Sequence, residues 1–166
     1  MKEDPFRPLA ESFRHAAEGL SYVYLTQRNM RVHLFATALV GWGCILFGLS
    51  RVEVLMVVLA VAGVLLAEVV NTLAESLIDL LSPDYNPLAK TVKDVAAAGV
   101  LISSIFAVAI GAVAFVPALL DAPQRLGEFL DRRLGIFIAY AVFVVVPPLA
   151  GLFFVEFRMP RHRGGI

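Results

Sequence analysis

Four stretches of this chain contain no Asp, Glu, Lys or Arg: residues 32–50, 54–67, 95–120 and 134–155. Three of them reach or exceed the roughly 18 residues that a helix needs to cross the hydrocarbon core of a bilayer. The run from 54 is shorter, but its helix is expected to continue through a polar segment to Leu81. Only 17% of the 166 residues are charged and 59% are hydrophobic. Soluble domains carry about a quarter charged residues, so the depletion argues for lipid as solvent, as does a mean hydropathy of +0.79. The expected fold class is all-α integral membrane, with spans at about 31–50, 52–81, 88–120 and 135–155.

The segments outside these runs set the organisation. Residues 1–14 mix charges and lack an apolar core followed by a small-residue cleavage site, so no signal peptide is expected. Between 8 and 27, Leu9, Phe13, Ala16, Leu20 and Leu25 alternate with Glu11, Arg14, His15 and Glu18, the pattern of an amphipathic helix lying at the membrane interface. Gln27, Arg28, Asn29 and Arg31 form a polar elbow whose arginines suit anionic headgroups. Arg7, Arg14, Arg28 and Arg31 precede the first span, Lys90 and Lys93 follow the second, and Arg158, Arg161 and Arg163 follow the fourth. The positive-inside rule then puts both termini and the turn at 82–89 in the cytoplasm, with Arg125, Arg132 and Arg133 of the last loop as the counter-signal. Residues 121–133 read as a charged outer loop, and Pro147-Pro148 should kink or break the fourth span. Cys44 is the only cysteine and lies in an apolar run, which excludes an internal disulfide. Zero net charge, with no basic patch interleaved with aromatics, gives no sign of nucleic-acid binding.

Within the second span stands a ladder of polar residues: Glu68, Asn71, Thr72, Glu75 and Asp79. Offsets of 0, 3, 4, 7 and 11 place them on one helix face. Carboxylates at membrane depth cost a few kcal/mol each on insertion scales, roughly 2.5–3.5, so three on one stripe point to a held phosphate or metal. After a turn marked by Pro83 and Pro87 come Lys90, Lys93 and Asp94. Lysines at a helix N-terminus oppose the macrodipole, which calls for bound phosphate or neighbouring carboxylates. Phosphoryl transfer to an alcohol needs such a set: acids to hold a divalent cation on ATP phosphates, a cation for the transferring group, and a base for the hydroxyl. Glu75 and Asp79 lie nearest the cytoplasmic end, while Glu68 lies deepest, where it could take a proton from a lipid alcohol. No phosphate loop of the G-x-x-x-x-G-K-[ST] type and no protein-kinase motif is present.

Blander roles fit some of these residues. Asn71 and Thr72 alone would suit interhelical hydrogen bonding, and Lys90 suits solvent as well as phosphate. Gly99, Ser103, Ala107 and Gly111 form a small-residue stripe that would let helices approach closely. His15, His33 and Trp42 read as structural. An ion or proton relay would spread acids over several helices, whereas here they sit on one helix and its cytoplasmic exit. A catalytically weak or silent membrane scaffold is the other alternative.

Glu68-Val69-Val70-Asn71-Thr72-Leu73-Ala74-Glu75-Ser76-Leu77-Ile78-Asp79 resembles the E-x-x-N-[TS]-x-x-E-x-x-x-D signature of the prokaryotic diacylglycerol kinase family, small membrane lipid kinases that include undecaprenol kinases. Ser82-Pro83-Asp84-Tyr85-Asn86-Pro87-Leu88-Ala89-Lys90 and Lys93-Asp94-Val95-Ala96-Ala97-Ala98 extend the likeness, and the turn is closer to the undecaprenol kinase branch. Ser12-Phe13-Arg14-His15-Ala16 and Arg28-Asn29-Met30-Arg31-Val32-His33 also resemble that branch. The resemblance runs from about 13 to 120. It implies a kinase domain at 1–120, with 121–166 as an outer loop and accessory fourth helix. It further implies a homotrimer with shared active sites, multi-pass in the bacterial plasma membrane and facing the cytoplasm, that phosphorylates a lipid alcohol with ATP and Mg2+. Glu68 would be the catalytic base and Glu75 a magnesium ligand. Asn71, Lys93 and Asp94 would line the nucleotide site, and Asp79 would belong to it in a less defined role. Gln27 occupies the place where the family commonly has a second metal-binding glutamate. Its amide oxygen could still ligate magnesium without contributing charge, or Glu18 could compensate.

Overall fold

The computed structural model describes residues 7–150 apart from 83, 85 and 148, and every element among them is helical. In order these are α1 (Arg7–Thr26), α2 (Arg28–Phe47), α3 (Arg51–Leu81), α4 (Pro87–Leu120), α5 (Ala122–Arg132) and α6 (Leu134–Tyr140), the last running into a π-helical stretch at Ala141–Val145. Three of them, α2, α3 and α4, are long and apolar enough to cross a membrane. The helix from Leu134 to Val145 is apolar but shorter, and the expected remainder of the fourth span from 151 lies outside the described residues, as do Glu156 and Arg158. Pro148, half of the pair expected to kink that span, is also outside them.

The chain reverses between spans by local chemistry. Gly48 ends α2 in the left-handed region at φ 59°, a conformation that costs a residue with a Cβ. Its N–H bonds the Ile45 carbonyl and that of Leu49 bonds Cys44, the paired bonds of a Schellman ending. The outer turn is short because Ser50 and Glu53 already form a capping box at the start of α3: Ser50 N–H donates to Glu53 Oε2 at 2.6 Å and Glu53 N–H to Ser50 Oγ at 3.4 Å. At the other end of α3, Asn86 caps α4 by accepting from Leu88 N–H at 2.9 Å, and Pro87 fills the first helical position, where its missing N–H is no loss.

With so short a turn between them, α3 and α4 pack as antiparallel neighbours along much of their length. Val57 and Val64 of α3 are buried, as are Val100, Ala114 and Ala118 of α4, with Met30 and Ala38 of α2 closing the core. Leu59, Leu66, Leu101, Ile105, Phe106 and Val108 are exposed on the long helices, as lipid or a second copy of the chain would require. The small-residue stripe on α4 is not used for close approach within the chain, since a Cβ at Gly99 or Gly111 would meet open space. Close approaches occur instead where Phe115 covers Gly43, Tyr140 covers Gly41 and Arg133 covers Gly48.

The loop expected at 121–133 is helix α5. Phe129 is buried, and Arg125 donates to the Phe47 carbonyl at 2.8 Å, tying α5 to the end of α2. Phe137 stacks on Trp42 with centroids 4.5 Å apart and meets Phe129 edge-on at 4.7 Å. Trp42 therefore packs, as the sequence suggests, and the C-terminal segment covers the 41–48 end of α2. Removing the N-cap hydroxyl of α3 should cost about 1 kcal/mol. Ser50→Ala is thus expected to lower the thermal midpoint of detergent-solubilised protein by a few degrees, and an unchanged midpoint would contradict the capping role.

Candidate active site

Burial along the α3 ladder falls from one end to the other. Glu68 is 1% exposed, Asn71 and Thr72 are buried, Glu75 is half-buried and Asp79 is exposed. The helical period puts them on one face of α3, and each helix that packs on α3 contributes a buried residue to the core: Val23 of α1, Met30 of α2 and Val100 of α4. Thr72 Oγ1 donates to the Glu68 carbonyl at 2.9 Å, a bond within its own helix, so it satisfies itself and packs. Ser76 repeats the bond to Thr72 at 2.8 Å.

Three residues expected at the site meet. Asn71 Nδ2 donates to Glu75 Oε1 at 3.1 Å, and Gln27 Nε2, from the α1–α2 elbow, approaches Glu75 Oε2 at 3.4 Å. One carboxylate is thus embraced by two neutral amides. Asn71 Oδ1 and both oxygens of Glu68 are buried without a hydrogen-bond partner. Buried polar atoms are nearly always paired, so orphaned oxygens in a row mark a place for a donor or cation supplied from outside the chain.

The lysines sit one step away, at the exposed end. Lys93 of α4 donates to Asp79 of α3, joining the two helices, and Lys90 pairs with Asp94 at 2.5 Å. Neighbouring carboxylates therefore answer the lysines placed against the α4 dipole. Neither pair touches the Gln27–Asn71–Glu75 cluster. Glu18, the candidate substitute for a missing acid, instead pairs with Arg14 at 3.8 Å and His15 at 3.4 Å on the exposed side of α1.

Different divalent cations ask different things of this donor set. Among the described residues no three His, Cys, Asp or Glu side chains converge. Magnesium makes a different demand, taking one or two carboxylates with water and substrate phosphates completing its oxygen shell. Glu75, the orphaned Asn71 Oδ1, and Gln27 Oε1 after a flip of its amide meet that demand.

Two apolar crevices flank Val69 beside the ladder. One, of about 640 Å3, is lined by Leu20, Tyr24, Met30, Leu34, Leu65 and Val69. The other, of about 410 Å3, is lined by Ala16, Val23, Val69, Thr72, Leu73 and Ser76. Both lie between α1 and the membrane helices, and both have the size of small-molecule sites.

Arg31 is not the headgroup ligand that the sequence suggests. It is 5% exposed, and its Nη1 donates to the Tyr24 and Leu25 carbonyls at 3.2 Å each. An arginine one turn inside an apolar helix is the available signal, since a buried guanidinium must find acceptors somewhere.

Comparison with known proteins bears on the same residues. No solved structure is a significant match. The chain is 40% identical over 114 residues to a diacylglycerol kinase of Synechocystis sp., covering 68% of this chain and 65% of that protein, so it spans just under two thirds of that relative's length. It is 34% identical over 109 residues to an undecaprenol kinase of Bacillus subtilis, covering 66% of this chain and 89% of that protein. The profile of the prokaryotic diacylglycerol kinase family matches residues 14–115, which take in the α1–α2 elbow, the whole ladder and both lysines. The chain belongs to the prokaryotic diacylglycerol kinase family of membrane lipid kinases.

Proposed function

We propose that this chain transfers the γ-phosphate of ATP to the hydroxyl of a lipid alcohol at the cytoplasmic face of the bacterial plasma membrane. The observation that carries the reading is Glu68: a carboxylate 1% exposed, with neither oxygen hydrogen-bonded, on the same helix face as the Glu75 cluster. An uncommitted carboxylate at that depth is placed to take a proton from an alcohol presented from the lipid side. The hydroxyl oxygen bonds to the γ-phosphorus as the bond to the bridging oxygen breaks, ADP leaves, and the proton passes to Glu68.

The rest of the ladder divides the remaining work. Glu75, with the amide oxygens of Gln27 and Asn71, would hold Mg2+, which when bound offsets negative charge on the ATP phosphates. Lys93 and Asp94 stand at the exposed end, where the nucleotide enters from water, and Lys93 exchanges its Asp79 partner for phosphate oxygen. Asp79 thereby holds Lys93 in place between turnovers. The crevices beside Val69 take the hydrocarbon of the acceptor, with α1 as their interfacial wall. Diacylglycerol and undecaprenol are the two acceptors named for the relatives, and the 82–90 turn favours undecaprenol.

The assembly we propose is a homotrimer. Its ground is the family resemblance, and the apolar surface left on α2, α3 and α4 with the open glycine positions on α4 is where a neighbouring copy could pack. Residues 1–120 form the kinase domain, and the segment from 121, docked on α2, is accessory to it.

Two expectations test the mechanism. Glu68→Gln should lower kcat on the order of 10²–10⁴-fold with little change in the KM for ATP, as loss of a general base does, and Glu75→Gln should abolish Mg2+-dependent turnover. Purified variants that retained wild-type turnover would overturn these assignments. Gln27→Glu adds charge beside Glu75 and should lower the Mg2+ concentration for half-maximal activity several-fold. An unchanged requirement would place the second metal ligand elsewhere.

A further inference from the structure

The last turn of α1 leaves carbonyls without partners inside the helix. The Val23 carbonyl accepts from Gln27 N–H at 2.8 Å, the first residue past the helix. The next two, Tyr24 and Leu25, are both taken by the one Nη1 of Arg31 at 3.2 Å. Arg31 belongs to the first turn of α2, so this pair of bonds crosses the joint between the interfacial helix and the first membrane helix. The side chain is 5% exposed, and hydrogen bonds from a charged donor in buried surroundings are the strong kind.

Between the two helices lies Gln27, four residues before Arg31. Its backbone is extended at φ −99° and ψ 114°, and its side chain makes no capping bond. With the backbone ends held from both sides, that side chain is left to reach Glu75 at 3.4 Å. The contact is long enough that a small rotation of the elbow would lose it.

We infer that Arg31 is a positioning residue for the metal–nucleotide site, clamping the α1–α2 elbow so that Gln27 is presented to Glu75. This rests on the proposed role of Gln27 and Glu75. Arg31 touches neither substrate nor metal, and acts through the elbow alone. Lysine, a point charge without the planar fork, should preserve the joint only in part.

Binding of Mn2+ as a magnesium probe, in the presence of a non-hydrolysable ATP analogue, is read by electron paramagnetic resonance of purified protein in lipid nanodiscs. Arg31→Gln is expected to weaken Mn2+ binding on the order of 10-fold, the usual size for a group that orients a ligand, and Arg31→Lys by less. In a Gln27→Ala background the same Arg31 substitutions should change binding by less than about twofold, because the residue through which they act is gone. Unchanged Mn2+ binding in Arg31→Gln, or effects that multiply in the double variant, would overturn the inference. If Arg31→Gln does not assemble, Arg31→Lys in the two backgrounds decides the same question. Wild-type protein that phosphorylated no lipid would remove the functional reading itself, whereas active wild type with Arg31-independent Mn2+ binding would remove only the role of Arg31.

Discussion

Glu68 stands in a helix built mostly of leucine, valine and alanine, fully buried and with both carboxylate oxygens unpartnered. A polar group so placed costs several kcal/mol unless something outside the chain meets it. The surrounding architecture follows from accommodating it. α3 extends to 31 residues so that one helix spans the apolar layer and still carries the ladder into water. Burial falls along the ladder from Glu68 to an open Asp79, and the elbow between α1 and α2 brings an amide to Glu75. The ladder thus grades from a buried carboxylate at Glu68 to an exposed one at Asp79, the axis on which, in the proposed reaction, a lipid and a nucleotide would have to meet.

Much of this is legible in the sequence. Charge-free runs, once extended through the polar ladder to Leu81 and back to the proline turn at 88, place α2, α3 and α4 within a few residues, because lipid imposes length and internally satisfied hydrogen bonds more strictly than water does. The period of 3.6 puts Glu68, Asn71, Thr72 and Glu75 on one face, and Thr72 does pack. Periodicity cannot show pairing between elements. That Lys93 is held by Asp79 across the α3–α4 turn, or that Arg31 is turned back onto the α1 carbonyls, depends on how helices cross. The capping box at Ser50 and Glu53 has the readable form S-x-x-E, yet its place between two apolar runs makes it look like loop. The small-residue stripe on α4 misleads in a different way, since its spacing is right for close packing but none of the described residues closes on Gly99 or Gly111.

The segment from 121 shows how an appendage can be added without disturbing such a site. The family profile ends at 115. Beyond it, α5 and α6 dock on the 41–48 end of α2, through Phe129, Phe137 and Arg125, far along that helix from Gln27 and Arg31. The segment that reads as an exposed loop is instead a docked helix, because Phe129 is buried and Arg125 is tied to the Phe47 carbonyl while Glu128 stays exposed. The docked segment and the polar ladder thus occupy opposite ends of the membrane helices.

If the buried carboxylate serves transfer of phosphate to a lipid hydroxyl, the product itself is the most direct test. Purified protein in lipid bilayers is supplied with Mg2+ and ATP labelled in the γ-phosphate, together with diacylglycerol or undecaprenol. The expected result is label in an organic-extractable lipid phosphate, formed with at least one of the two alcohols. Label that stayed in ATP, or appeared only as inorganic phosphate with both lipids present, would contradict the proposed role of Glu68.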